Sequence, residues 1–193
     1  MPLPSFLGPF VDLPVASADE PGSGQPAGPT GTPHILPFAM QTQEQTKWCW
    51  AATTASVSAY YEDDPPLSQC QVATDCLGMD CCVTPLPPAG NAMYALDAAL
   101  NRVHHLEGRE AIERPLSFSE IKTEIDAKRP VCCHISSEHF NVIVGYYDDD
   151  KETVHVRDPF YGGEHPLPYE TFVNNYYGGS WNWSYRTVDK ERG

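Results

Sequence analysis

The spacing of apolar residues along the chain changes near residue 130. Before that point they recur at the three-to-four interval of helices, and afterwards they alternate as in strands. Residues 46–61 predict a first helix, with Thr46 as its cap. Ala52, Ala55, Ser56 and Ala59 supply small side chains that let a buried helix sit close to its neighbours. Its several Thr and Ser residues weaken intrinsic propensity, so tertiary packing must hold it. Asn91 is expected to cap a second helix reaching about Leu106, on which Met93, Leu96, Leu100 and Val103 share one face. Ser117 and Glu120 form a capping box that opens a third, with Phe118, Ile121 and Ile125 inward and Arg129-Pro130 ending it. Residues 62–90 read as loop, because Asp63-Asp-Pro-Pro and Pro85-Leu-Pro-Pro interrupt them.

Strands are expected over residues 131–136, 140–147, 153–157 and 181–188, with a short helix over 169–176. Asp148-Asp-Asp-Lys151 reads as a solvated turn. Helices followed by strands indicate an α+β domain with two lobes. Residues 1–37 hold nine prolines, five glycines and three charges, which predicts a flexible extension or pro-segment ahead of a folded domain at 38–188.

At 193 residues the chain suits one domain with a tail. Twelve Lys and Arg against 26 Asp and Glu leave a net charge of -14, which disfavours nucleic acid and anionic membrane surfaces as partners. No apolar run approaches the roughly 20 residues of a membrane span, and the N-terminus lacks the basic and apolar regions of a secretory signal.

Of the seven cysteines, Cys49 stands alone, while Cys70, Cys76, Cys81, Cys82, Cys132 and Cys133 follow later. Six that pair and one left free is the natural partition in an oxidising compartment, and it favours an exported protein. A zinc site at Cys70, Cys76, Cys81 and Cys82 is the competing reading, but their spacing lacks the usual knuckle. Reduced, buried thiols are a further alternative. No cofactor or metal is expected.

Cys49 carries the candidate chemistry. It lies between Trp48 and Trp50 where the first helix begins, and unpaired N–H groups there favour a thiolate. With Thr46 as cap, Cys49 would be the third helical residue. Gln43, six residues upstream, can donate a hydrogen bond to an oxyanion beside the thiol. The alternative is a core cysteine in an aromatic setting. Against it stand His139, which begins the strand His139-Phe-Asn-Val-Ile-Val-Gly-Tyr, and Asp158, which ends the returning strand. A tight turn at Asp148-Asp149 would place positions 139 and 158 opposite each other, or within one or two places.

A carboxylate that orients the imidazole and an imidazole beside the thiol give base and orienting roles to complete the nucleophile. Among the other histidines, His155 is out of phase with Asp158. His134 suits a buried, hydrogen-bonded role, His165 is a further rival, and His104 and His105 read as surface or capping residues. Cys132 and Cys133 lie mid-strand with no helix terminus to activate them.

Gln43, Cys49-Trp-Ala-Ala, the His139 strand and Val156-Arg-Asp158-Pro together resemble papain-like cysteine peptidases. They look most like the compact bacterial branch that includes an effector protease delivered into plant cells. The 90 residues between Cys49 and His139 are fewer than in papain proper, and Asp158 stands where papain uses Asn. The resemblance implies a papain-like fold with a helical lobe presenting Cys49 and a strand lobe presenting His139. It also implies a Cys49-His139-Asp158 triad, with Gln43 as oxyanion donor, acting on peptide or protein substrates. The expected chain is monomeric. The same triad also serves a transglutaminase, deamidase or acyltransferase, and a silent peptide-binding domain is the non-enzymatic alternative.

Overall fold

The computed structural model describes residues 29–62, 65–161 and 164–190. The reading of residues 1–28 as part of a flexible extension, and of Asp63-Asp64 as loop, lies outside them. In chain order the elements are β1 (Thr32–Ile35), α1 (Cys49–Tyr60), α2 (Gln69–Leu77), α3 (Leu96–Arg102) and α4 (Phe118–Asp126). They continue with β2 (Val131–Ile135), β3 (His139–Asp148), β4 (Thr153–Arg157), β5 (Glu164–Pro168), α5 (Tyr169–Asn174) and β6 (Trp181–Arg186). After β1, helices α1–α4 come first and the remaining strands follow, as the change of hydrophobic period requires.

The sheet runs β5-β4-β3-β2-β6, and β3 is its spine. The first half of β3 pairs with β2 and its last four residues pair with β1. Gly145 allows that second pairing. A Cβ there would lie 2.5 Å from the carbonyl oxygen of His34 and 2.9 Å from Cα of Ile35, so any side chain would push β1 away. β1 falls inside the segment whose composition reads as extension, and neither β1 nor β5 has an apolar alternation that marks it. Each has two prolines or one among its few residues, and each lies at an edge of the sheet.

α1 is buried along most of its length, which its sequence makes feasible in two ways. The hydroxyls of Thr54 and Ser56 donate to the carbonyls of Trp50 and Ala52 at 2.9 and 2.7 Å, so these buried polar groups are satisfied inside the helix. The alanines leave room for β3, α2 and α3 to pack close. The helix begins later than expected. Its cap is Trp48, no side chain caps it, and Cys49 is the first helical residue, not the third. Thr46 instead accepts a 2.9 Å hydrogen bond from the amide of Asn91, whose oxygen takes the Lys47 N–H at 3.0 Å. Asn91 is thus a clamp on the approach to α1, not a helix cap, and α3 is confined to Leu96–Arg102.

Two further expectations are corrected. The segment read wholly as loop contains α2, opened by a Ser68-Gln71 capping box and closed by Gly78 with φ 67°. His105 is no surface residue. It is fully buried, its Nδ1 lies 2.8 Å from the Val188 carbonyl oxygen and its ring stacks on Tyr61, while His104 is exposed.

The cysteines make one disulfide, Cys70–Cys82, and not three. Cys76, Cys81, Cys132 and Cys133 are free and buried, as is Cys49. Two of the four candidate zinc ligands are therefore bonded to each other. Cys132 and Cys133 are adjacent in the central strand β2, and burial pushes both thiols up.

Candidate active site

Cys49 occupies the first turn of α1, where unpaired N–H groups give a partial positive charge. The two tryptophans beside it fix that turn in place. The Trp48 indole N–H donates to Gly90 at 2.8 Å and that of Trp50 to Ala92 at 3.0 Å. The aromatic flanks of the cysteine are thus core residues that hold the helix start against the 90–92 segment.

His139 opens β3 and faces the helix terminus. Its Nε2 lies 2.9 Å from Oδ2 of Asp158, and the ring also hydrogen-bonds Cys49. With Nε2 committed to the carboxylate, Nδ1 is the nitrogen left for the thiol. Burial alone would lower the imidazole pKa. The hydrogen bonds to Asp158 and Cys49 and the charge of Asp158 outweigh it and raise the pKa to about 9.

The hairpin register differs from simple counting. Val142 pairs with Arg157, and a register shift follows between Ile143 and Gly145, so continuing the ladder sets Asn141, not His139, opposite Asp158. The offset is two places, within the allowance for a longer turn, and the long imidazole spans it.

Asp158 is fully buried and its carboxylate is saturated. Oδ1 accepts the backbone N–H groups of Phe160 at 2.7 Å and Tyr161 at 3.1 Å, while Oδ2 accepts His139 and the Tyr176 hydroxyl at 2.8 Å. Burial would raise this carboxyl, but the hydrogen bonds and the charge of His139 prevail and its pKa lies below the usual carboxylate value. Tyr176, pushed well up by burial and by the adjacent carboxylate, remains a phenol and a donor. Sequence reasoning missed it, because it follows α5 in a turn with no periodic signal.

Gln43 reaches the same place. Its backbone N–H donates to Pro159 at 2.8 Å, tying it beside the Asp158 loop. Its Nε2 donates one hydrogen to the Gln45 carbonyl at 2.8 Å, which fixes the amide orientation and leaves the second hydrogen for another acceptor. Gln43, Cys49 and His139 line one cleft of about 300 Å³, with Tyr176, Glu138 and Phe160 among its other walls.

The rival histidines lie elsewhere. Nδ1 of His134 is 2.8 Å from Oδ1 of Asn182, and His155 is buried with its ring stacked on Tyr147. Neither lines the cleft, and the side chain of His165 lies outside the described residues.

A thiol at a helix N-terminus and a carboxylate-bound imidazole on a sheet, facing each other across a cleft between two lobes, define a papain-like cysteine peptidase in fold and arrangement. The family model described as Peptidase_C39 like family matches residues 35–184. The chain belongs to that family. It is similar in structure to a double glycine motif protease from an AMS/PCAT transporter, solved in complex with the leader peptide. The two share a TM-score of 0.50 and 20% identity over 79% of this chain and 93% of the other. No curated protein matches the sequence.

Proposed function

We propose that the chain hydrolyses peptide bonds in peptide or protein substrates through a Cys49-His139-Asp158 triad, with Gln43 as oxyanion donor. The observation that carries this reading is His139, hydrogen-bonded to Cys49 on one side and 2.9 Å from a saturated, buried Asp158 on the other. A raised imidazole pKa means that the ring holds its proton at neutral pH, as the general acid for the leaving nitrogen must.

The Cys49 thiolate attacks the scissile carbonyl carbon. The developing oxyanion is met by the free hydrogen of Gln43 Nε2 and by the Cys49 backbone N–H. His139 gives its proton to the leaving nitrogen as the C–N bond breaks, which leaves a thioester on Cys49. The neutral imidazole then takes a proton from water, whose oxygen attacks the thioester. The C–S bond breaks, and thiolate and imidazolium are restored.

Peptide substrate is also supported by the related protease solved with a leader peptide. The finer placement, in the compact bacterial branch with the effector protease, rests on the motif residues around Gln43, Cys49, His139 and Asp158. An exported protein is supported by the Cys70–Cys82 disulfide. The test is hydrolysis of a mixed peptide pool followed by mass spectrometry. Cys49→Ala and His139→Ala are each expected to lose at least about 10³-fold in kcat/KM. Cleavage that survives Cys49→Ala in folded protein contradicts the proposal.

A further inference from the structure

The cleft at Cys49 adjoins a second cavity. Met93 and Glu138 line both, and the second, about 540 Å³, is further walled by Tyr94, Phe140, Trp183, Tyr185 and Asp97. The two cavities are neighbours across these shared walls, one holding the nucleophile and the other Trp183. That indole is 41% exposed, whereas Trp181, two residues earlier, is buried. An exposed tryptophan beside other aromatic walls is a surface suited to a ligand.

The charge lining these cavities is one-sided. Among the described residues no lysine or arginine lines either cavity, although Arg102 hydrogen-bonds Tyr94, while Glu138 lines both cavities and Asp97 the second. Glu138 directly precedes His139 in the β2–β3 turn and holds φ at 62°, a conformation that glycine or asparagine adopts more readily. Glu138 is exposed and lines both cavities, so its carboxylate can reach a ligand in either. The other ionisable ring of the second cavity besides the tyrosines, His134, is tied to Asn182. A lysine or arginine side chain matches these features, with an apolar stem to lie on aromatic faces and a cationic head for the carboxylates. An acidic side chain would meet repulsion there.

Building on the peptidase reading, we propose that the second cavity is a specificity pocket for a lysine or arginine side chain of the substrate, gripped by Asp97 and Glu138 against Trp183. The substrates are then peptides that carry a basic residue a few positions from the scissile bond.

The test uses the full chain and internally quenched peptides that differ by Lys, Leu or Glu at one position at a time. A small uncharged epoxide that labels Cys49 is run alongside. At one position Lys should exceed Glu by about ten-fold in kcat/KM, and the ratio should fall below about three-fold in Glu138→Gln and in Asp97→Asn. Cys49 labelling should persist in both variants, at whatever rate, which shows that each still folds with a reactive Cys49. Cleavage indifferent to charge at every position, or a preference that both variants retain, overturns the pocket while leaving the peptidase reading intact. Absence of cleavage for every peptide together with absence of Cys49 labelling removes both.

Discussion

Each oxygen of the Asp158 carboxylate accepts two hydrogen bonds, one pair from backbone and the other from His139 and Tyr176. A carboxylate buried to this degree is tolerable only when so satisfied, and the same bonds keep it ionised beside the imidazole. The raised pKa of His139, about 9, predicts that the basic limb of the kcat/KM profile lies near that pH, since activity falls as the imidazolium loses its proton. In Asp158→Asn the partner charge is gone, so the limb should move down toward the ordinary histidine range, with a loss of kcat of about 10-fold or more. Tyr176→Phe removes a donor that competes with His139 for Oδ2, so the limb should hold or rise while kcat falls a few-fold. A profile measured from pH 5 to 10.5 checks both, and an unmoved limb in Asp158→Asn contradicts the role given to that carboxylate. Gln43, Cys49, His139 and Asp158 were legible because each is a specific chemical type set in a recognisable run of neighbours. Tyr176 was not legible, because a tyrosine in an irregular turn looks like any other and only the folded chain brings its hydroxyl to Asp158.

Elements with a strong local signal were readable, and those that depend on distant partners were not. The capping box at Ser117 is present, with the Glu120 N–H reaching the serine hydroxyl and the Glu120 carboxylate accepting the Ser117 N–H at 2.8 Å. An equivalent box at Ser68-Gln71 gives a weaker signal, because α2 is short and set among prolines and cysteines. Asn91 carries a good capping residue, yet its amide is spent on Thr46 and Lys47, so tertiary contact overrode local preference there. β1 lies as close to β3 as it does because Gly145 leaves space for it. The disulfide closes α2 onto the following turn across 12 positions. In the chain-entropy model such a loop stabilises by about 3 kcal/mol. Replacing Cys70 and Cys82 with serine should therefore lower stability by about 2–3 kcal/mol in a denaturant titration and leave Cys49 labelling intact. An unchanged midpoint would show that the bond constrains nothing that unfolds.

Across the whole molecule, the acidic balance and the order of helices before strands were both apparent in the sequence, while the partition of the cysteines was misjudged. Burial in a sheet or under a helix protects Cys76, Cys81, Cys132 and Cys133 as thiols, and composition alone does not distinguish that fate from pairing. The two lobes meet at one cleft, where the start of α1 and the start of β3 face each other and the Asp158 loop closes behind. The account stands on Cys49 being an activated nucleophile dependent on His139. Intact-mass labelling at pH 6 with a limiting epoxide-type cysteine-protease inhibitor tests this most directly, with wild type set beside His139→Ala and the modified residue mapped. Fast labelling at Cys49 alone, lost in folded His139→Ala, is the predicted result. Unlabelled folded wild type, or labelling at equal speed in His139→Ala, would contradict the account.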